Sequence, residues 1–434
     1  MKINKKVLGI IIAALVAGTI SACSLENSIK ELPGQNTTAV EEAENADHEY
    51  SLTDGEDITI EAAGTYLISG QAENVTIYVD SDDEDEVTII LSDASISNDD
   101  RSCIYVNNAK EVLVVTAAGT ENTLTVTDEF AEDDNNGDAV VYSRDDLVLA
   151  GEGTLIISSL DNAIRSNDDI LVQSGTYVID CEKNAFRANE DIEIDGGTIT
   201  VKSCNDGIHA ENDDDDTKGS ILISAGNIDI TAEDDAIHAT TTIQIDDGTI
   251  ILTAAEGIEA TQIAINGGEI NITASDDGIN AARKSSSMTP EFTLNAGNMV
   301  ISMGQGDTDG VDSNGNIYIN GGTIDITGQS TFDYDGEAEY NGGTIIENGE
   351  ETNTISNQFF GGQGGMPGGM GGGFKGGSDN GFENKGDSEN GFEGGRGGML
   401  PPGSDGKMNP DDFKGNAPDG PGGAAQNGED SSDL

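Results

Sequence analysis

Two lines of polar residues recur through the middle of this chain at a steady spacing, and both carry chemistry. The first is acidic: Asn162, Asn184, Asp206, Asp235, Glu256, Asp277 and Asp309, with Asn205, Asp234 and Asp276 placed just before three of them. If these residues stack at the spacing of paired strands, neighbouring carboxylates about 4.8 Å apart repel by roughly 3–4 kcal/mol at an effective dielectric near 20. Salt screens part of this at a surface corner. A hard cation between the stacked residues reverses the sign, and calcium (Ca2+) prefers this set of carboxylate, amide and carbonyl oxygens. The expected ligands are Asn184, Asn205, Asp206, Asp234, Asp235, Asp276 and Asp277, with Asp307, Asp309 and Asp312 as a second cluster. A column of Asp and Asn that only caps its own turns stands as the alternative.

The second line is Arg165, Arg187, His209, His238, Glu259, Asn280 and Asp312. It places cations and two of the chain's three histidines side by side in a protein with 82 acidic and only 19 basic residues, a net charge of −63. Arginine and histidine pair well with the carboxylates of an acidic polymer. Arg165, Arg187, His209, His238, Glu259 and Asn280 are therefore the candidate ligand-binding residues, and an ordinary solvated face is the alternative. Non-specific nucleic-acid binding is excluded, because that affinity comes from Lys and Arg neutralising phosphates. No Ser/His/Asp order, phosphate loop or zinc spacing is present, so no catalytic residue is assigned. Lys183, Arg187, Lys218, Arg283 and Lys284 are the available bases for a uronate elimination, none of them in a distinguishing motif. The chain has no Trp and few Tyr, so aromatic platforms for stacking a ligand's rings are scarce and a charged ligand is favoured.

Such lines need an element that returns to the same place. Segments starting at Ala139, Ala163, Ala185, Gly207, Ala236, Gly257, Gly278 and Gly310 repeat with a base period of about 22 residues. Two longer spacings leave inserts near residues 211–219 and 282–291. Each unit has an acidic corner, a small residue, an inward apolar residue, then Ile-x-Ile, a glycine corner and Ile-x-Ile again. Period-two alternation marks strands with one buried face. Three short strands per unit of this length give an all-β, right-handed parallel β-helix, its core a set of stacked isoleucine columns. The two inserts leave at one corner and are expected to wall a groove over the second line. Cys103, Cys181 and Cys204 lack metal-site spacing; a disulfide between Cys181 and Cys204 and buried free thiols both remain open.

The start of the chain sets an expected compartment. Lys2, Lys5 and Lys6 precede an apolar run from Val7 to Ile20 that is too short to span a membrane, followed by Ile20-Ser21-Ala22-Cys23. This reads as a signal peptide over residues 1–22 and a lipobox with lipidated Cys23. Residues 23–47 form an acidic tether, 48–356 the β-helix, and 357–434 a disordered tail rich in Gly, Pro and Met. The expected location is the outer face of the cell membrane, held there by the lipid alone.

The Asp-Gly-Ile-x-Ala units (Asp206–Ala210, Asp277–Ala281), the Asn-Gly-Gly-x-Ile-x-Ile turns, the opening Gly64-Thr65-Tyr66-Leu67-Ile68-Ser69-Gly70 and the Gly-Gly-Met tail resemble a known family. It is that of bacterial carbohydrate-binding domain-containing lipoproteins, cellulose- and pectin-binding β-helix proteins shaped like pectate lyases. The resemblance runs from about residue 48 to the tail. It implies calcium held between coils and affinity for acidic or cellulosic polysaccharide without established lyase activity. The expected protein is a non-catalytic monomer, with a pectate-type lyase and a structural surface stalk as the alternatives.

Overall fold

The computed structural model describes residues 46–131, 137–212, 214–305 and 308–358. Cys23, the expected signal peptide, nearly all of the tether, Asp307 and all but the first residues of the expected tail lie outside them. Strands run from His48–Ser51 to Glu350–Thr352 with no helix among the described residues. The repeats wind into a parallel β-helix. Twelve strands of one face pair in parallel, coil upon coil. The remaining strands cover the other faces as one sheet, joined where the long strand Glu86–Asn98 pairs with both Glu111–Thr116 and Glu121–Val126.

The isoleucine alternation builds the core as the period requires. In the twelve-stranded sheet, Ile164, Phe186, Ile208, Ile237, Ile258, Ile279, Val311 and Phe332 stand directly on one another, and all are fully buried. Each such side chain contributes about 1.5–3 kcal/mol of burial, and each packs only on the coils above and below. The small residue before this column is set by space. A Cβ on Gly207 would sit 2.4 Å from the Ala236 carbonyl oxygen and 2.6 Å from Ile230 Cγ2.

The glycine corners carry a second device. Asn266 donates to Asp246, Asn295 to Asn266, Asn320 to Asn295 and Asn341 to Asn320, at 2.8, 2.8, 2.9 and 3.0 Å. Asn266, Asn295 and Asn320 thus each give their NH2 to the coil before and offer their oxygen to the coil after. In the Asn266-Gly267-Gly268 turn, Gly268 holds φ +88, the left-handed region that glycine enters without a Cβ penalty. Cys103, Cys181 and Cys204 are buried free thiols. Burial pushes Cys103 and Cys181 up to about 12, leaving them unreactive thiols rather than thiolates.

Candidate functional site

In each strand of the twelve-stranded sheet the residue after the inward apolar one points outward. The pairing register places Arg165 beside Arg187, Arg187 beside His209, His209 beside His238, His238 beside Glu259, Glu259 beside Asn280, and Asn280 beside Asp312. The row also continues towards the N-terminus, where Tyr78, Tyr105 and Tyr142 precede Arg165. Sequence reading missed these tyrosines because the early coils carry irregular inserts that hide the 22-residue period. Tyr78 and Tyr105 stack at 5.4 Å, Tyr105 and Tyr142 at 5.2 Å. Their faces lie against one another along the stack; Tyr105 is fully buried within it, and Tyr78 and Tyr142 are half-buried. The Arg144 and Arg165 guanidinium carbons lie 5.8 and 6.0 Å from the Tyr105 and Tyr142 rings, within cation–π range.

The acid column and the outward ladder are one ion-pair network. His209 Nδ1 meets Asp206 Oδ2 at 2.9 Å, and His238 Nδ1 meets Asp235 Oδ2 at 2.7 Å, each within its own strand. His238 Nδ1 also lies 3.0 Å from Glu259 Oε2, which Lys284 Nζ approaches to 2.7 Å. Asn280 donates to Glu256 at 2.9 Å and to Glu259 at 3.1 Å. Burial pushes the His238 imidazole down, but the hydrogen bonds and charges of Asp235 and Glu259 outweigh it and raise it to about 9. Hydrogen bonding from His209 brings Glu211 down to about 2. The other oxygen of Asp206 accepts the backbone N–H of Asp235 at 3.2 Å. Asn162 Oδ1 takes both the backbone and the side-chain N–H of Asn184, and Asn205 donates to Asp206. Much of the proposed ligand column is thus engaged in turn-capping and ion pairing, while Asp234 and Asp276 stand exposed.

The two inserts do more than flank the ladder. The backbone N–H of Ser286 donates to Asp216 Oδ2 at 2.8 Å across 70 residues of chain. Lys284, in the same insert, reaches down to Glu259. The inserts meet over the coils between them instead of standing apart as two walls. Outward-facing His209, His238 and Glu259 are consequently only 8, 7 and 5% exposed. A polymer lying on this face reaches the two arms of the ladder on either side, but not its centre.

Those arms differ in charge. On one side are the stacked tyrosines, Arg165 paired with Asp138, and Arg187. On the other, Asp277, Asp309, Asp312 and Asp333 gather, with Asp277 Oδ1 accepting the Asp309 N–H at 3.0 Å. Burial, then repulsion from Asp312, Asp276 and Asp309, raises Asp277 to about 7. Burial and the neighbouring Asp333, Asp309 and Asp335 raise Asp312 to about 6.

The family described as carbohydrate-binding domain-containing protein matches residues 54–310. A protein of the same description from Acetivibrio thermocellus is 33% identical over 131 residues, which is 29% of this chain and 46% of that relative's length. Among solved structures, a polysaccharide lyase-like protein from C. thermocellum aligns over 68% of this chain and 97% of its own, at 19% identity and a TM-score of 0.37.

Proposed function

The chain belongs to the family of carbohydrate-binding domain-containing proteins, and from that premise we propose that it binds an extended acidic polysaccharide of the cell-wall type, such as polygalacturonate, with calcium as a bridge and without cleaving it. The observation that carries this reading is the register Tyr142–Arg165–Arg187. It gathers two cations and a phenol, all half-buried, on one stretch of an otherwise strongly acidic surface. Arginine pairs uronate carboxylates through paired, charge-assisted hydrogen bonds. The opposite arm suits calcium: its donors are all hard oxygens, and the crowding that raises Asp277 and Asp312 is relieved by a cation. Asp276, Asp277, Asp309 and Asp312 are the residues that would hold it. Tyrosines stacked face against face favour a charged chain over a ligand that needs open ring faces.

The non-catalytic part of the reading is supported by the state of the candidate bases. Lys183 pairs with Asp161, Lys218 with Glu190 and Lys284 with Glu259. Burial lowers the Lys284 ammonium, but Glu259 more than restores it, so its net shift is upward, the wrong direction for a proton acceptor at neutral pH. In the same proposal, lipidated Cys23 holds the β-helix at the outer membrane face as a monomer. Affinity electrophoresis in polygalacturonate gels, with calcium and then with EGTA, tests the binding. The native protein is retarded only with calcium, and the double variant Arg165→Gln/Arg187→Gln binds at least about tenfold more weakly. Unretarded migration of the native protein under both conditions ends the proposal, and a rise in absorbance near 235 nm on incubation with polygalacturonate ends its non-catalytic part.

A further inference from the structure

Between the two arms lies a cluster that the polysaccharide reading does not use. His209 and His238 are successive rungs of the ladder, their rings 4.5 Å apart and within 4° of parallel. Each gives its Nδ1 to a carboxylate, Asp206 and Asp235, at 2.9 and 2.7 Å. A carboxylate accepting from Nδ1–H fixes each ring's orientation and turns its Nε2 the other way. Metal-binding imidazoles are oriented by this same second contact. His209 Nε2 faces Glu211 Oε2 at 3.1 Å. His238 Nε2 is buried and has no hydrogen-bond partner among the described residues, in a side chain only 8% exposed. Ligand atoms of His209, Glu211 and His238 all lie within 4.8 Å of one another.

Neither protonation state satisfies His238 Nε2 among the described residues: an N–H and a lone pair are alike left buried without a partner, which is costly. We propose that His209 Nε2, His238 Nε2 and a Glu211 carboxylate oxygen bind one divalent transition metal of the zinc class, with a fourth position left for a small ligand such as water. Two imidazole nitrogens and one carboxylate suit a borderline-soft ion and are a poor set for calcium, which takes six to eight oxygens. Zinc–nitrogen bonds of about 2.0–2.1 Å require the two rings to fan towards each other from their parallel stack. The inserts bridge to one another beside this cluster. Glu211 is the first residue of the insert whose Asp216 takes the Ser286 N–H. The metal would therefore pin the root of that insert to two successive coils.

The test titrates the chelator-treated full chain with Co2+ in a large excess of calcium, which occupies all-oxygen sites first. One equivalent of Co2+ should develop the visible absorption of a nitrogen-ligated four-coordinate ion, and Zn2+, but not added calcium, should abolish it. His238→Gln should weaken binding at least about a hundredfold. Glu211→Gln, at a half-exposed position, should weaken it about tenfold, with the far-ultraviolet circular dichroism of both variants compared with the native protein. Failure to saturate near one equivalent, or native affinity in a folded Glu211→Gln or His238→Gln variant, overturns the proposal. Should His238→Gln unfold, the Glu211→Gln affinity decides alone.

Discussion

At the scale of single residues, a carboxylate's state in this protein follows from its neighbours. Glu211, beside His209, falls to about 2, whereas Glu256 rises to about 8 through burial first and then the charge of Glu259. Both are acids near the same ladder, and one of them has a cation. Because the folded protein holds a proton on Glu256 more tightly than the unfolded chain does, stability from this site is full below about pH 4.5. It declines as pH rises towards 8. Glu256→Gln keeps an acceptor for Asn280 and removes the titration. The variant should melt close to the native protein at pH 5 and be more stable at pH 9, by on the order of 1 kcal/mol after solvent screening. Calorimetric melts at both pH values check this, and an equal shift at both would refute it. The ladder's members were legible in the sequence, since alternation and period alone align Arg165 through Asp312. Their partners were not. The contact of Asp206 with His209, three positions on in the same strand, turns two lines with separate assigned roles into one network, and no period reports a side-chain rotamer.

At the scale of the strand, the recurring Asp-Gly-Ile unit has a division of labour: the acid meets the next coil's amide, the glycine admits a close carbonyl, and the isoleucine fills the core. Gly207→Val should cost about 2–3 kcal/mol, because its side chain has to displace the Ala236 backbone and Ile230 in a packed interior. A denaturation midpoint within error of the native value would show that the coils can slide apart to accommodate it. Regular coils made this strand pattern readable from Ala139 onward. The tyrosine row was hidden for a physical reason: loops of unequal length between Tyr78, Tyr105 and Tyr142 erase the spacing while the backbone ladder still brings the residues into line. The meeting of Asp216 with Ser286 was equally hidden, because it depends on how far two surface segments lean and not on where they leave the coil.

At the scale of the molecule, a net charge of −63 works against compaction at every coil, and the stacked acids concentrate that burden on one arm of the ladder. Calcium should raise the melting temperature by several degrees in a concentration-dependent way, as expected for a ligand of the folded state. Sodium chloride at equal ionic strength should give only the smaller shift due to screening. Equal shifts from the two salts would remove any need for a bridging ion at Asp277 and Asp312.

A column of parallel coils has two raw ends, each a row of amides and carbonyls ready to accept another strand. At the C-terminal end Thr344–Glu347 is paired in antiparallel fashion with Glu350–Thr352, a reversal of direction that occurs nowhere else in the described pairings. The small hairpin spends those groups on the chain's own backbone, and its run of glutamates repels any copy that approaches. The expected consequence is a block on end-to-end addition of a second copy. Cutting the chain after residue 343 should expose the last full coil and lead the protein to form thioflavin-positive filaments that the full chain does not form, and light scattering that stays flat over days would show that the edge was protected by something else.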